Sequence, residues 1–151
     1  MDELAPKARF DALAELFGLD EPALDAIRHT INPLLPQLQQ LARMWDDTLR
    51  GPAAARVVGD LPAKQRADLQ GRLASFIMRT INLVFDDDYC DYAQAFARDP
   101  AVPRQVIPVA LAVAWEFVAI TLADKADDRR KRHEALTAWH RLVCALREFA
   151  A

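Results

Sequence analysis

Glycine is scarce in this sequence, with 4 among 151 residues. Sandwiches and barrels of β-strands need many tight turns, for which glycine is the favoured residue, so this composition argues against both classes. Only two cysteines are present, Cys90 and Cys144, and they form no Cys-x-x-Cys motif. This argues against a disulfide framework or a zinc site and favours free thiols in a reducing compartment. The N-terminus lacks a basic segment followed by an apolar run, so we expect no signal peptide and a cytoplasmic location.

Neither sign of charge is in large excess, since 19 basic and 22 acidic residues give a net charge of −3. Nucleic-acid-binding proteins are usually basic, so we expect no nucleic-acid partner. The hydrophobic fraction of 52% excludes wholesale disorder. The chain length predicts a single domain over residues 1–151, with residues 1–18 as an N-terminal extension helix. The apolar stretch 106–123 has the length of a membrane span, but it contains Pro108 and Glu116 and stands alone. We therefore interpret it as a buried helix and expect no membrane partner.

Apolar residues recur every three to four positions through most of the chain, which predicts an all-α fold of six to eight helices. Gly18 is expected to end a first short helix, and Asp20 to cap the second. Pro33 and Pro36 interrupt the pattern of residues 21–50, which predicts two helices or one bent helix. Asp60 is expected to cap a long helix, and the acidic triplet 86–88 to begin a shorter one. The last two helices are predicted at 104–124 and 127–151.

Sequence motifs for catalysis are missing. The chain has no nucleophile elbow, no phosphate-binding glycine loop and no Glu-x-x-His pair. We therefore expect no enzyme activity, no catalytic residue and no metal site. His140 and Cys144 lie four residues apart on one predicted helix and could share a metal or a proton, although such a pair is usually incidental. Residues 125–132 contain five basic side chains interleaved with aspartates, which predicts a solvated helix start rather than an anion-binding patch.

Several short segments occur together in an ordered series: LFGLD at 16–20 before the segment 27–33, MWDDTL at 44–49, INLVFDD at 81–87 and RQVIPV at 104–109. Their order and spacing over roughly residues 15–150 resemble the sensor-globin domains of bacterial globin-coupled sensors. The resemblance implies a globin-like helical sandwich that acts in signal transduction. It also implies a homodimer, and an output domain or partner protein beyond the C-terminus.

The haem ligand of that family is not matched. In haem-binding members the proximal histidine lies about six residues before the proline that corresponds to Pro108, which places Val102 at that position, and valine cannot bind iron. The resemblance therefore implies a domain without a cofactor, similar to the N-terminal domains of stressosome RsbR proteins. Two other functions stay open. One is a haem-binding gas sensor with His29 or His140 as an unusual ligand, and the other is a helical protein–protein adaptor.

The resemblance also indicates which side chains surround the space that haem would occupy: Gln39, Phe76, Thr80, Phe96, Val102, Val109 and Val113. Close packing favours a core in which large side chains fill this space, with a small apolar ligand as the alternative. The expected filling side chains are Phe76, Met78, Phe85, Phe96 and Trp115.

The last two predicted helices are apolar on more than one face, so each should be buried by more than one neighbour. A second subunit is a natural additional neighbour, and two helices from each subunit would form an antiparallel four-helix bundle. The candidate interface residues are Leu111, Trp115, Val118, Leu136, Trp139, Val143 and Leu146. Some of them must instead face the core of their own subunit.

Overall fold

The computed structural model describes residues 3–125 and 128–151, and within these ranges it contains α-helices and one 3-10 turn but no β-strand. The helices are α1 (Pro6–Leu16), α2 (Glu21–Arg28), α3 (Ile31–Leu34), α4 (Leu38–Arg50), α5 (Pro52–Val58), α6 (Ala63–Thr80), α7 (Asp87–Arg98), α8 (Val106–Lys125) and α9 (Arg129–Ala150), with the 3-10 turn at Leu35–Gln37. The all-α prediction is confirmed. The predicted start of the last helix at Asp127 lies outside the described residues.

Local signals place most helix ends correctly. Gly18 follows α1 with a φ of +70°, a conformation that glycine adopts without steric cost. The Asp20 carboxylate accepts a hydrogen bond of 3.0 Å from the backbone N–H of Ala23 and so caps α2. The prolines at 33 and 36 divide the next segment more finely than predicted, into the single turn of α3, the 3-10 turn and α4.

The predicted cap at Asp60 is wrong, because α6 begins only after Pro62, which occupies the capping position without any side-chain hydrogen bond. Gly59, at a φ of +90°, turns the chain just before this segment, and Asp60 is left exposed. The acidic triplet behaves as predicted. The Asp86 carboxylate accepts a hydrogen bond of 2.9 Å from the backbone N–H of Tyr89, and the next two aspartates lie in the first turn of α7.

Helices α8 and α9 pack against each other at the centre of the fold. Helix α9 also contacts α1, α2 and α7, while α8 contacts α3 and α4. Helix α4 in turn contacts α5 and α6. Two indole groups connect neighbouring segments of the fold through buried hydrogen bonds. Trp45 Nε1 donates to the Ala110 carbonyl at 3.0 Å, and Trp139 Nε1 donates to Thr30 Oγ1 at 2.8 Å.

Helix α8 contains a stretch, Val106–Asp124, that is long and apolar enough to cross a membrane by length and composition. In this structure 56% of that stretch is buried inside the chain, where it packs against α3, α4 and α9. A core helix of a soluble protein passes the same test of length and composition.

Candidate functional site

Aromatic rings pack between α6 and α7, the region where the resemblance places haem. The rings of Phe76 and Phe96 lie 5.6 Å apart, and the rings of Phe76 and Tyr89 lie 6.5 Å apart in a stacked arrangement. The Thr80 hydroxyl donates to the Phe76 carbonyl at 2.7 Å and accepts from the Tyr89 hydroxyl at 2.7 Å. Burial raises the pKa of Tyr89 above its usual range, so this phenol stays protonated. The rings therefore pack against one another, and the two hydroxyl groups have hydrogen-bond partners within this cluster.

The residues predicted to line a haem-sized space are divided between the core and the surface. Phe76, Thr80, Phe96, Val102 and Val113 are buried, and Val102 itself is only 6% exposed. Val109 is half-buried, whereas Gln39 is exposed. The assignment of Gln39 to the pocket is therefore wrong. Its neighbours Leu38 and Leu41 direct the apolar stripe of α4 inward, and at 100° per residue Gln39 faces solvent.

The two fallback haem ligands both lie on the surface. His140 is exposed on α9, with its ring 5.5 Å from that of Trp115 in an edge-to-face contact. His29 is exposed at the end of α2, where its Nδ1–H donates to the Asp25 carbonyl at 2.6 Å. Neither histidine takes part in the ring contacts of α6 and α7.

A half-open cavity of about 540 Å³ lies between the α2–α3 segment and the adjoining ends of α8 and α9. Its lining combines small apolar side chains with polar and charged ones: Pro22, Asp25, Ala26, His29, Thr30, Pro33, Leu122, Lys131, Arg132, Glu134 and Ala135. A second cavity, of about 30 Å³, has an apolar lining that includes Leu34, Phe117 and Trp139. Only the first has the size of a small-molecule site, for which 300–1,000 Å³ is typical. None of the residues predicted to line a haem pocket borders either cavity.

The charges around the larger cavity are unevenly paired. Asp25 forms an ion pair with Arg28, and Glu134 accepts a hydrogen bond of 3.2 Å from Arg130 Nε. The Lys131 side chain makes no hydrogen bond or ion pair with any part of the chain that the structure describes. Both carboxylates therefore have a cationic partner outside the cavity, while the ammonium group has none among the described residues.

The solvent-facing side of α8 is almost entirely apolar. Up to residue 123, its exposed and half-buried residues are Pro108, Val109, Ala112, Trp115, Glu116, Ala119, Ile120 and Ala123. Glu116 is the one charged residue among them, and Ile120 is 45% exposed. We call these eight residues the α8 outer face. The contact between Trp115 and His140 extends this surface onto α9.

Some of the seven interface candidates were expected to face the core of the subunit, and four of them do. Leu111, Val118, Trp139 and Leu146 pack in the core between α8, α9 and their neighbours. The indole of Trp139 is engaged with Thr30, on the side of α9 that contacts α2. The other three, Trp115, Leu136 and Val143, are half-buried and border the solvent.

The two cysteines are free thiols in different settings. Cys144 Sγ lies 3.7 Å from His140 Nε2, so the predicted pair is in contact, but residues 3–125 and 128–151 contain no group of three potential metal ligands. Cys90 is fully buried in α7, and burial raises the pKa of its thiol to about 11.

The larger cavity was missed by sequence analysis. The basic run at 125–132 could have indicated it, because two residues of this run, Lys131 and Arg132, border the cavity. Comparison with protein-family models, with curated proteins and with solved structures found no match to this chain.

Proposed function

We propose that this chain is a non-enzymatic, haem-free sensory domain of globin type, located in the cytoplasm. In this proposal it forms a homodimer and relays a signal through α8 and α9. The observation that supports the proposal is the α8 outer face, which offers seven uncharged side chains and a single charge to solvent. Solvent-facing sides of helices in soluble monomers are normally polar, and contiguous exposed apolar surface marks an interface.

The position of this face favours a second copy of the chain as its partner. It reaches α9 through the contact of Trp115 with His140, and the half-buried residues Leu136 and Val143 lie one helical turn to either side of that histidine. Two helices from each subunit can form a four-helix bundle, and a two-fold axis lets the same patch serve both subunits. A small shift of one packed helix pair against the other would then carry a signal.

The absence of haem from the proposal is supported by Val102. A buried valine has no atom that could bind iron, and it occupies the position where the resemblance calls for the proximal histidine. Purified protein should show no Soret band and should take up no stoichiometric haem on reconstitution. A sharp Soret peak would favour the gas-sensor function instead, and His29→Ala and His140→Ala would then identify the ligand.

Sedimentation velocity at tens of micromolar tests the dimer. We expect the unmodified chain to sediment as a dimer and Ala112→Glu to sediment as a monomer, because the substitution places a charge within the α8 outer face. Ala74→Glu is the matched control, since Ala74 is also an exposed alanine but lies on α6, and it should stay dimeric. A monomeric unmodified chain would refute the homodimer and leave this face as a docking surface for a different protein, as in an adaptor.

A further inference from the structure

The half-open cavity between α2 and α9 has the size, lining and charge of a ligand site. We propose that it binds a small amphipathic monoanion, an apolar body that carries one carboxylate. This deepens the proposed sensory role by naming the chemical class of the ligand. Binding itself is measured without reference to dimerisation, so the two proposals can fail separately.

The inner part of the cavity suits an apolar body. Ala26 of α2, Pro33 of α3, Leu122 of α8 and Ala135 of α9 border it from four different helices. Their side chains are short or apolar, so they enclose space without offering hydrogen bonds. Transfer of an apolar group from water into such a space is favourable because it removes apolar surface from water.

Polar groups that line the cavity already have hydrogen-bond partners within the chain. Thr30 is buried there, and its hydroxyl donates to the Ile27 carbonyl at 2.6 Å while it accepts from Trp139 Nε1 at 2.8 Å. The Nδ1–H of His29 is likewise directed to the Asp25 carbonyl. Because these hydrogen bonds lie within the chain, an apolar ligand in the cavity would leave few polar groups of the lining without a partner.

The charge of the ligand follows from the pairing around the rim. Asp25 and Glu134 are each paired with an arginine outside the cavity, whereas Lys131 borders the cavity without an ion pair to a described residue. An anionic group is therefore the complementary occupant. Besides Lys131 and Arg132, the lining contains the two carboxylates Asp25 and Glu134, so a dianion such as a phosphate monoester would be repelled more strongly than the single charge of a carboxylate.

Naphthalene-2-carboxylate and the neutral naphthalene-2-carboxamide are matched probes for this site. In ¹H–¹⁵N spectra of the full chain we expect saturable shifts of the Thr30 and Ala135 amides with the carboxylate. The carboxamide should bind about fivefold more weakly, the factor expected for one solvent-accessible ion pair. Lys131→Gln should weaken carboxylate binding by about fivefold and leave carboxamide binding unchanged. Lys64→Gln, at an exposed lysine of α6, should alter neither.

Filling the cavity provides a second, independent variant. Ala26→Leu adds three carbon atoms to the lining and should reduce binding of both probes by more than about tenfold. Ala42→Leu, at a half-buried alanine of α4 outside the lining, should leave binding intact. The proposal is overturned if millimolar carboxylate gives no saturable shift, if both probes bind equally, or if the shifts map to the α8 outer face. If Ala26→Leu fails to fold, the comparison of Lys131→Gln with Lys64→Gln still decides the outcome.

Discussion

Phe10 is the fully buried side chain of helix α1. Phe10 is 1% exposed, and its ring lies 4.7 Å from that of Phe85, 5.7 Å from that of Phe149 and 6.3 Å from that of Tyr89. Sequence analysis treats residues 1–18 as an extension, but this ring connects α1 to the segment before α7, to α7 itself and to the end of α9. Truncating it to alanine would remove all three contacts at once.

Phe10→Ala should lower the free energy of unfolding by about 3–5 kcal/mol, the usual cost of deleting a buried phenylalanine. That is a large part of the 5–15 kcal/mol typical of a domain. With a urea m-value of about 2 kcal/mol per molar, a loss of 4 kcal/mol moves the unfolding midpoint by about 2 M. Leu16→Ala is the matched control, because Leu16 belongs to the same helix and is 74% exposed. Its cost should stay within about 0.5 kcal/mol.

Urea denaturation followed by far-ultraviolet circular dichroism distinguishes these outcomes. An unchanged m-value with a lower midpoint would show that α1 unfolds together with the core. If α1 unfolded independently, Phe10→Ala would leave the main transition in place and Phe10→Ala and Leu16→Ala would give the same midpoint. That result would refute the assignment of α1 to the core.

Two further predictions concern the ends of α7 and the buried thiol. Asp86→Ala should destabilise the fold by about 1 kcal/mol because it removes the cap of α7. Asp60→Ala, at a position that caps no helix, should cost less than about 0.5 kcal/mol in the same urea titration. Equal costs would contradict the capping assignment. Cys90 should resist iodoacetamide at pH 8, since a thiol whose pKa is about 11 is about one part in a thousand thiolate there. Peptide mass spectrometry should find Cys144 modified first, and comparable rates for both thiols in the folded chain would disprove the burial of Cys90.

The parts of the fold that sequence analysis predicted are those that depend on local chemistry. A glycine after α1 and aspartates before α2 and α7 act within a few residues of their own position, so their roles are visible in the sequence. The wrong cap at Asp60 shows the limit of such signals. An aspartate caps a helix only when the helix begins directly after it, and here Pro62 sets the start two residues later.

Sequence analysis misplaces Gln39 and leaves the inward face of α8 unassigned, for different reasons. Gln39 lies on a strongly amphipathic helix, where the spacing of Leu38, Leu41 and Trp45 already places it outside the buried stripe. That error came from the resemblance and not from the residues. Helix α8 presents the opposite case, because its apolar residues occur on every side and give the helix no preferred face. Only its packing against α3, α4 and α9 determines that Leu111 and Val118 face inward.

The cavity and the proposed dimer surface meet on α9. Ala135 borders the cavity, while the next residue, Leu136, is half-buried one helical turn before His140, whose ring contacts Trp115 of the α8 outer face. Neighbouring residues of a helix move together, so in the proposed dimer a ligand that displaces Ala135 would also displace Leu136 relative to the other subunit. Linkage then requires reciprocity: if each site of the dimer binds the ligand more tightly than the monomer does by a given factor, two bound ligands strengthen the dimer by the square of that factor. Titrating naphthalene-2-carboxylate into the unmodified chain and into monomeric Ala112→Glu measures that factor, and identical affinities would show that the cavity and the dimer surface are uncoupled.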